Sequence, residues 1–222
     1  RAYLHPVIKR NNLQVKTGAQ VSRILFEAAG DALRAVGVLY VKDEKEQRVM
    51  ARREVILSAG AIQSPQILQL SGVGPAALLN QHMIPVVRDL PGVGENLQDH
   101  VQGRLIYETH APITLNDDMM SLAGRVRVGL QYLLQRKGPL GWWAGVAGGF
   151  ARTAPELDRP DIQFHLYPFS TDRKDKPALH TFSAFTLTVC QLRPHSRGSV
   201  QIQSADPFKA PAIRVNYLND PR

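Results

Sequence analysis

Gly60-Ala61-Ile62-Gln63-Ser64-Pro65-Gln66-Ile67-Leu68-Gln69-Leu70-Ser71-Gly72-Val73-Gly74 reads as a helix held between glycine-marked breaks. Immediately before it, Val55-Ile56-Leu57 has the unbroken hydrophobicity of a strand covered on both faces. Ser58-Ala59-Gly60 ends that strand with little side-chain bulk, which lets a flat group approach the backbone. Ser64-Pro65 suits the N-cap and first position of a helix running through Leu70. Gly72-Val73-Gly74-Pro75 stops it, and a second short helix is expected from about Ala76 to His82.

Upstream, the chain is strand-rich. Leu13 and Val15 are separated from Val21, Ile24 and Phe26 by the turn or bulge signal Thr17-Gly18. Val36, Val38 and Tyr40 lead to the polar turn Asp43-Glu44-Lys45-Glu46, and Val49 begins a strand continuing into Val55-Ile56-Leu57. The expectation is a three-stranded meander. Downstream of residue 100 the character changes. Leu105 and Tyr107 predict a strand. Asp117-Asp118 would cap one long amphipathic helix carrying Met119, Leu122, Val126, Leu130, Leu133 and Leu134. Ile162, Phe164 and Leu166 alternate with Gln163, His165 and Tyr167, a strand signature. Phe185, Leu187 and Val189, then Val200 and Ile202, predict two more strands joined through Pro194-His195-Ser196-Arg197-Gly198. This second part is expected to be an antiparallel sheet with packed helix.

The 222 residues are 44% hydrophobic and 21% charged, which excludes global disorder. No apolar run approaches the roughly 18 residues of a spanning helix. The single cysteine, Cys190, excludes a disulfide framework and a cysteine-rich metal site. A net charge of +8 raises nucleic acid as a partner, but the basic residues are scattered and no basic–aromatic stripe appears, so none is expected. Without an initiator Met or a signal core, the chain is expected to be a piece of a longer protein. The compartment is left open, the cytoplasm being favoured.

Gly72-Val73-Gly74-Pro75-Ala76-Ala77 satisfies a loose G-x-G-x-x-A pattern, but a helix precedes it and Pro75 removes a donor. It and Gly92-Val93-Gly94 read as structural turns. None of the seven histidines forms an i, i+4 metal pair or an HExxH string, so no metal site is expected. His165 stands out because it shares a strand face with Gln163 and Tyr167. Trp142-Trp143 are expected in core packing or a pocket wall.

The stretch from Gly60 to Gly74 resembles the second signature of the glucose–methanol–choline (GMC) flavin oxidoreductases. Leu90-Pro91-Gly92-Val93-Gly94-Glu95-Asn96-Leu97-Gln98-Asp99-His100 is similar to that family's next landmark, and Asn12 through Val21 to its flavin-domain strand. Ala147-Gly148-Gly149-Phe150, Arg159-Pro160-Asp161-Ile162-Gln163 and Leu192-Arg193-Pro194 through Arg197-Gly198 fit its substrate domain. The resemblance covers nearly the whole chain in order. It implies an α+β / α/β fold: residues 1–100 close a Rossmann-like FAD-binding domain, and residues 101–222 form an incomplete substrate domain with an antiparallel sheet and packed helices.

The same resemblance implies FAD as cofactor. Val21 would meet the adenine edge through its backbone. Ser58, Ala59 and Gly60 would lie by the adenosine end, the Ser64 helix start would add free N–H groups, and Asn96 would border the flavin. Each residue has a local alternative: Gly60 a tight turn, Asn96 a loop cap. No FAD pyrophosphate loop is present, and the family's catalytic His is expected beyond residue 222, so no catalytic residue is assigned here and the isolated chain is expected to be inactive. The sheet carrying His165 would floor the substrate cavity. Choline-handling members tend to carry Glu where this chain has Val146. An apolar residue there cannot offset desolvation of a quaternary ammonium, so the expected substrate is an uncharged primary alcohol, with the electron acceptor unassigned. Choline oxidation, and a non-catalytic binding or scaffold domain, are the alternatives.

Overall fold

Three antiparallel strands open the fold in the computed structural model, which describes residues 2–30, 32–141, 145–172 and 178–220. β1 (Gln20–Ala29) pairs with β2 (Ala32–Lys42), and β2 with β3 (Lys45–Met50), forming the expected meander. Asp43 and Glu44 both take positive φ, 51° and 60°, between the paired Lys42 and Lys45. That is the backbone of a two-residue hairpin turn whose twist matches the strands. The register slips between Val21 and Arg23, leaving Ser22 as the extra residue of a β-bulge. Leu13 and Val15 lie in irregular chain before β1, not in a strand.

After β3, Ala51 donates one more backbone bond to Val36, at 2.8 Å, and the chain leaves the sheet. Val55-Ile56-Leu57 therefore does not form the buried strand its composition predicts. It has no ladder partner among the described residues, and Ile56 is 77% exposed. α1 (Gly60–Leu70) starts one turn earlier than Ser64-Pro65 predicts. The Ser64 hydroxyl turns back to accept the Ala59 N–H at 3.1 Å, and Pro65 sits inside the helix, where it supplies no N–H. β4 (Val73–Gly74), α2 (Ala76–Gln81) and β5 (Arg88–Asp89) follow, β4 and β5 pairing in parallel.

β6 (Gln102–Glu108) begins a second compact unit, Asp99–His195, distinct from Arg1–Gln98 with Ser196–Pro221. The single long helix is in fact two. α3 (Leu115–Met120) is capped by Thr114, with Asp117 closing a reciprocal capping box. α4 (Leu122–Gln135) is capped by Ser121, which accepts the Gly124 N–H. Asp117-Asp118 thus lie in the first turn of α3 and do not cap α4. β7 (Ala147–Ala151), β8 (Ile162–Tyr167) and β9 (Ala184–Gln191) join β6 in a four-stranded antiparallel sheet, ordered β6-β9-β8-β7. Trp142-Trp143 lie outside the described residues.

β10 (Ser199–Gln201), joined to β9 through Pro194–Gly198 as expected, pairs with β11 (Ala212–Arg214) and lies outside the four-stranded sheet. Residues 196–221 also return to the first unit, where a boundary at residue 100 alone would assign them to the second. The reason is packing. Ile202 is buried with Leu70, Leu79 and Ile84, and its N–H donates to the Gln69 side chain at 2.9 Å.

Candidate functional site

In the first unit, Ala61 and Pro65 of α1 meet Gly94, Glu95, Asn96, Leu97, Gln98 and Val200 around a cavity of about 440 Å³. α1 places its first turn there because Gly60, at φ 86°, swings the chain into the helix, and nothing stands within 4 Å of where its Cβ would be. The helix's early N–H groups and the positive end of its dipole lie at this turn. Asn96 reaches the cavity in a left-handed conformation, φ 60°. The structure thus brings Asn96 and the start of α1 together. Of the other expected cofactor residues, Val21, Ser58, Ala59, Gly60 and Ser64 do not line this cavity. Val21 is paired with Tyr40 beside the bulge, and the Ser22 hydroxyl next to it is buried without a hydrogen-bond partner among the described residues.

The second unit presents a polar sheet face. Registration of the strands puts Arg104, Thr188, His165 and Gly148 in one row across β6, β9, β8 and β7. Two strand spacings set Arg104 and His165 about 10 Å apart at the backbone. Gln102, Gly145, Val146, Ala147, Gly148, His165 and Tyr167 line a cavity of about 460 Å³. Val146 and His165 therefore share one site, and the Val146 N–H is fixed to the Leu166 carbonyl at 3.0 Å. His165 Nδ1 stands 3.4 Å from the Thr188 hydroxyl, and its ring is tilted to Tyr167 with centroids 6.4 Å apart.

One end of this face is roofed by the segment after β8. Thr186 donates to the Phe169 carbonyl at 2.8 Å, and Arg104 Nη2 to the Thr171 hydroxyl at 2.8 Å. The roof hangs on Asn116 and Ser170, both fully buried. Ser170 also holds His180 Nδ1 at 2.9 Å, with the imidazole stacked on Phe182. Sequence reasoning missed Gln102, Arg104 and His180. The alternation of β6 carries a signal for the first two, but it becomes informative only once β6 is paired with β9. His180 sits in no regular element, so no periodicity marks it.

Burial alone would raise the Asp117 carboxyl. Hydrogen bonds from the Thr114 hydroxyl, the Ser183 hydroxyl and the Thr114 N–H outweigh that and hold it below its ordinary value of 3.8. Asp161 is also lowered, mainly by the Thr153 hydroxyl and N–H, with a smaller contribution from Arg193.

Residues 1–102 match the family model described as GMC oxidoreductase. The chain is 43% identical over 225 residues to an alcohol dehydrogenase [acceptor] of Pseudomonas putida, covering 100% of this chain and 40% of that protein. It is 43% identical over 219 residues to the mitochondrial choline dehydrogenase of Mus musculus, covering 98% of this chain and 36% of the relative. Its structure superposes on a formate oxidase of Aspergillus oryzae RIB40 with a TM-score of 0.86 at 26% identity, over 97% of this chain and 42% of that one. The chain thus spans about two fifths of the length of the curated relatives it matches. Signature, order of landmarks, sheet architecture and relatives agree: the chain belongs to the GMC oxidoreductase family.

Proposed function

We propose that the protein carrying this chain is an FAD-dependent alcohol dehydrogenase that oxidises an uncharged primary alcohol to its aldehyde. The observation that carries the reading is the cavity where the start of α1 meets Asn96, built on the family's signature residues. The fit to FAD rests on three features: open space at Gly60, helix N–H groups beside it, and an orphaned Ser22 hydroxyl next to Val21. Ser58, Ala59, Gly60 and the first turn of α1 would receive the adenosine side, Val21 would offer backbone, and Asn96 would border the flavin. When bound, FAD supplies the two-electron acceptor for hydride lost from the carbinol carbon.

This chain's residues then position the alcohol. Gln102, His165 and Tyr167 offer polar groups on one side of the second-unit cavity, and Val146 an apolar edge. With no carboxylate among the described residues that line that cavity, a quaternary ammonium would lose its hydration without compensation. The proton of the hydroxyl is assigned to a base outside this chain.

The test is a visible absorbance scan of the intact protein after FAD loading and desalting, followed by turnover of 1-butanol, benzyl alcohol and choline with a dye acceptor. A retained flavin band with oxidation of the neutral alcohols supports the reading. Retained flavin with choline preferred leaves the family chemistry and removes the substrate assignment. A colourless protein removes both.

A further inference from the structure

Gln69 is completely buried, and every polar group of its amide is used. Nε2 donates to the Val93 carbonyl at 3.1 Å and to the Val200 carbonyl at 3.0 Å, while Oε1 accepts the Ile202 N–H at 2.9 Å. One side chain thereby joins α1, the loop Val93–Gln98 and the returning β10. Two further backbone links share the junction: Val200 donates to the Gly94 carbonyl at 2.7 Å, and Leu97 exchanges bonds with Gly198. Gly94 and Val200 are themselves walls of the cavity that contains Asn96. A Cβ on Gly94 would strike the Val200 carbonyl and the Gln69 amide, so loop and amide are fitted to each other.

A buried amide with fully used groups is costly to assemble and directional once assembled. A Leu of similar size would fill the space with no orientational demand. Here the donor aims at the two backbone segments that shape the cavity, and the residue touches no ligand space itself.

We infer that Gln69 is a positioning residue for the cofactor cavity: its amide sets the backbone of Gly94–Asn96 against the start of α1, and so sets flavin affinity and environment. This rests on the reading that the cavity takes part of FAD.

The test compares Gln69→Glu, Gln69→Asn and Ala61→Trp in the flavin-loaded protein. Gln69→Glu turns a carboxylate toward two carbonyls, and Gln69→Asn keeps the amide but falls short by a methylene. Expected are a weakening of FAD binding by about tenfold or more for Gln69→Glu, with a smaller change for Gln69→Asn. A shifted visible circular dichroism band should accompany both, with KM for the alcohol unchanged at saturating FAD. Should Gln69→Glu fail to fold, Gln69→Asn decides. A fall in Tm with FAD affinity and the flavin band unchanged would overturn the inference. Ala61→Trp separates the two ideas by filling the cavity: unchanged FAD binding in that variant would sink the cavity's cofactor role, whereas lost binding there beside intact binding in the Gln69 variants would sink only the positioning role.

Discussion

Asn116 and Ser170 grip each other in both directions. Asn116 Nδ2 donates to the Ser170 hydroxyl at 3.1 Å and lies 3.2 Å from its carbonyl, while the Ser170 N–H donates to Asn116 Oδ1 at 2.9 Å. The same Nδ2 also reaches the His180 carbonyl at 2.9 Å. This amide ties Ser170 and His180 together, beside the bonds that Thr186 and Arg104 make to Phe169 and Thr171.

Asn116→Ala should therefore leave several buried groups without partners and destabilise the second unit by about 3 kcal/mol. Denaturant unfolding followed by near-ultraviolet circular dichroism measures it. A loss below about 1 kcal/mol, the scale of one ordinary hydrogen bond, would show that water or another donor replaces the amide.

Asp117 predicts an acid limit. Its folded pKa is depressed below the unfolded value, so its contribution to stability is complete above about pH 4 and is lost as pH falls through the folded value. Asp117→Asn should flatten the fall in stability on acidification below pH ~4 while lowering stability at neutral pH. Parallel curves for the two proteins would remove Asp117 from the acid response.

Val146 tests the substrate reading. In the intact enzyme, Val146→Glu should lower kcat/KM for benzyl alcohol and raise it for choline, each by about threefold, the scale of one exposed charge interaction. Improved turnover of the neutral alcohol would contradict the assignment.

Gly94 combines φ 89° with a position a Cβ cannot enter. Gly94→Ala should cost about 2 kcal/mol or more and release flavin on desalting. Full flavin retention at unchanged Tm would show that the loop yields without consequence.

The strands of the second sheet were legible because one face must differ from the other. Ile162, Phe164 and Leu166 against Gln163, His165 and Tyr167 report this directly. The same logic misled at Val55–Leu57, whose apolarity speaks of two neighbouring strands that the described residues do not supply. At α4 the spacing was helical, but spacing does not say which face turns inward. Val128 is 3% exposed and Leu134 79%, the reverse of the expected arrangement. Ser64 looked like a cap because a serine before proline usually is one, and only the geometry shows its hydroxyl bonding Ala59 from inside the helix. For the candidate site, the sequence marked Val146 and His165 separately, and the structure sets both on the wall of one cavity. Gln69 was not, because its partners lie up to 133 residues away.

That separation has a consequence for synthesis. Residues 1–98 are made before the second unit, but their core stays open until Ile202 arrives to cover Leu70, Leu79 and Ile84. During the intervening stretch the whole second unit must be made, as an insertion between two parts of one core. Long loops closed late make slow folding, and they leave apolar surface uncovered meanwhile. At ribosomal rates of about 5–20 residues per second, that interval is on the order of ten seconds. For that interval the apolar faces of Leu70, Leu79 and Ile84 wait uncovered, and the first unit's core closes only when Ile202 is made.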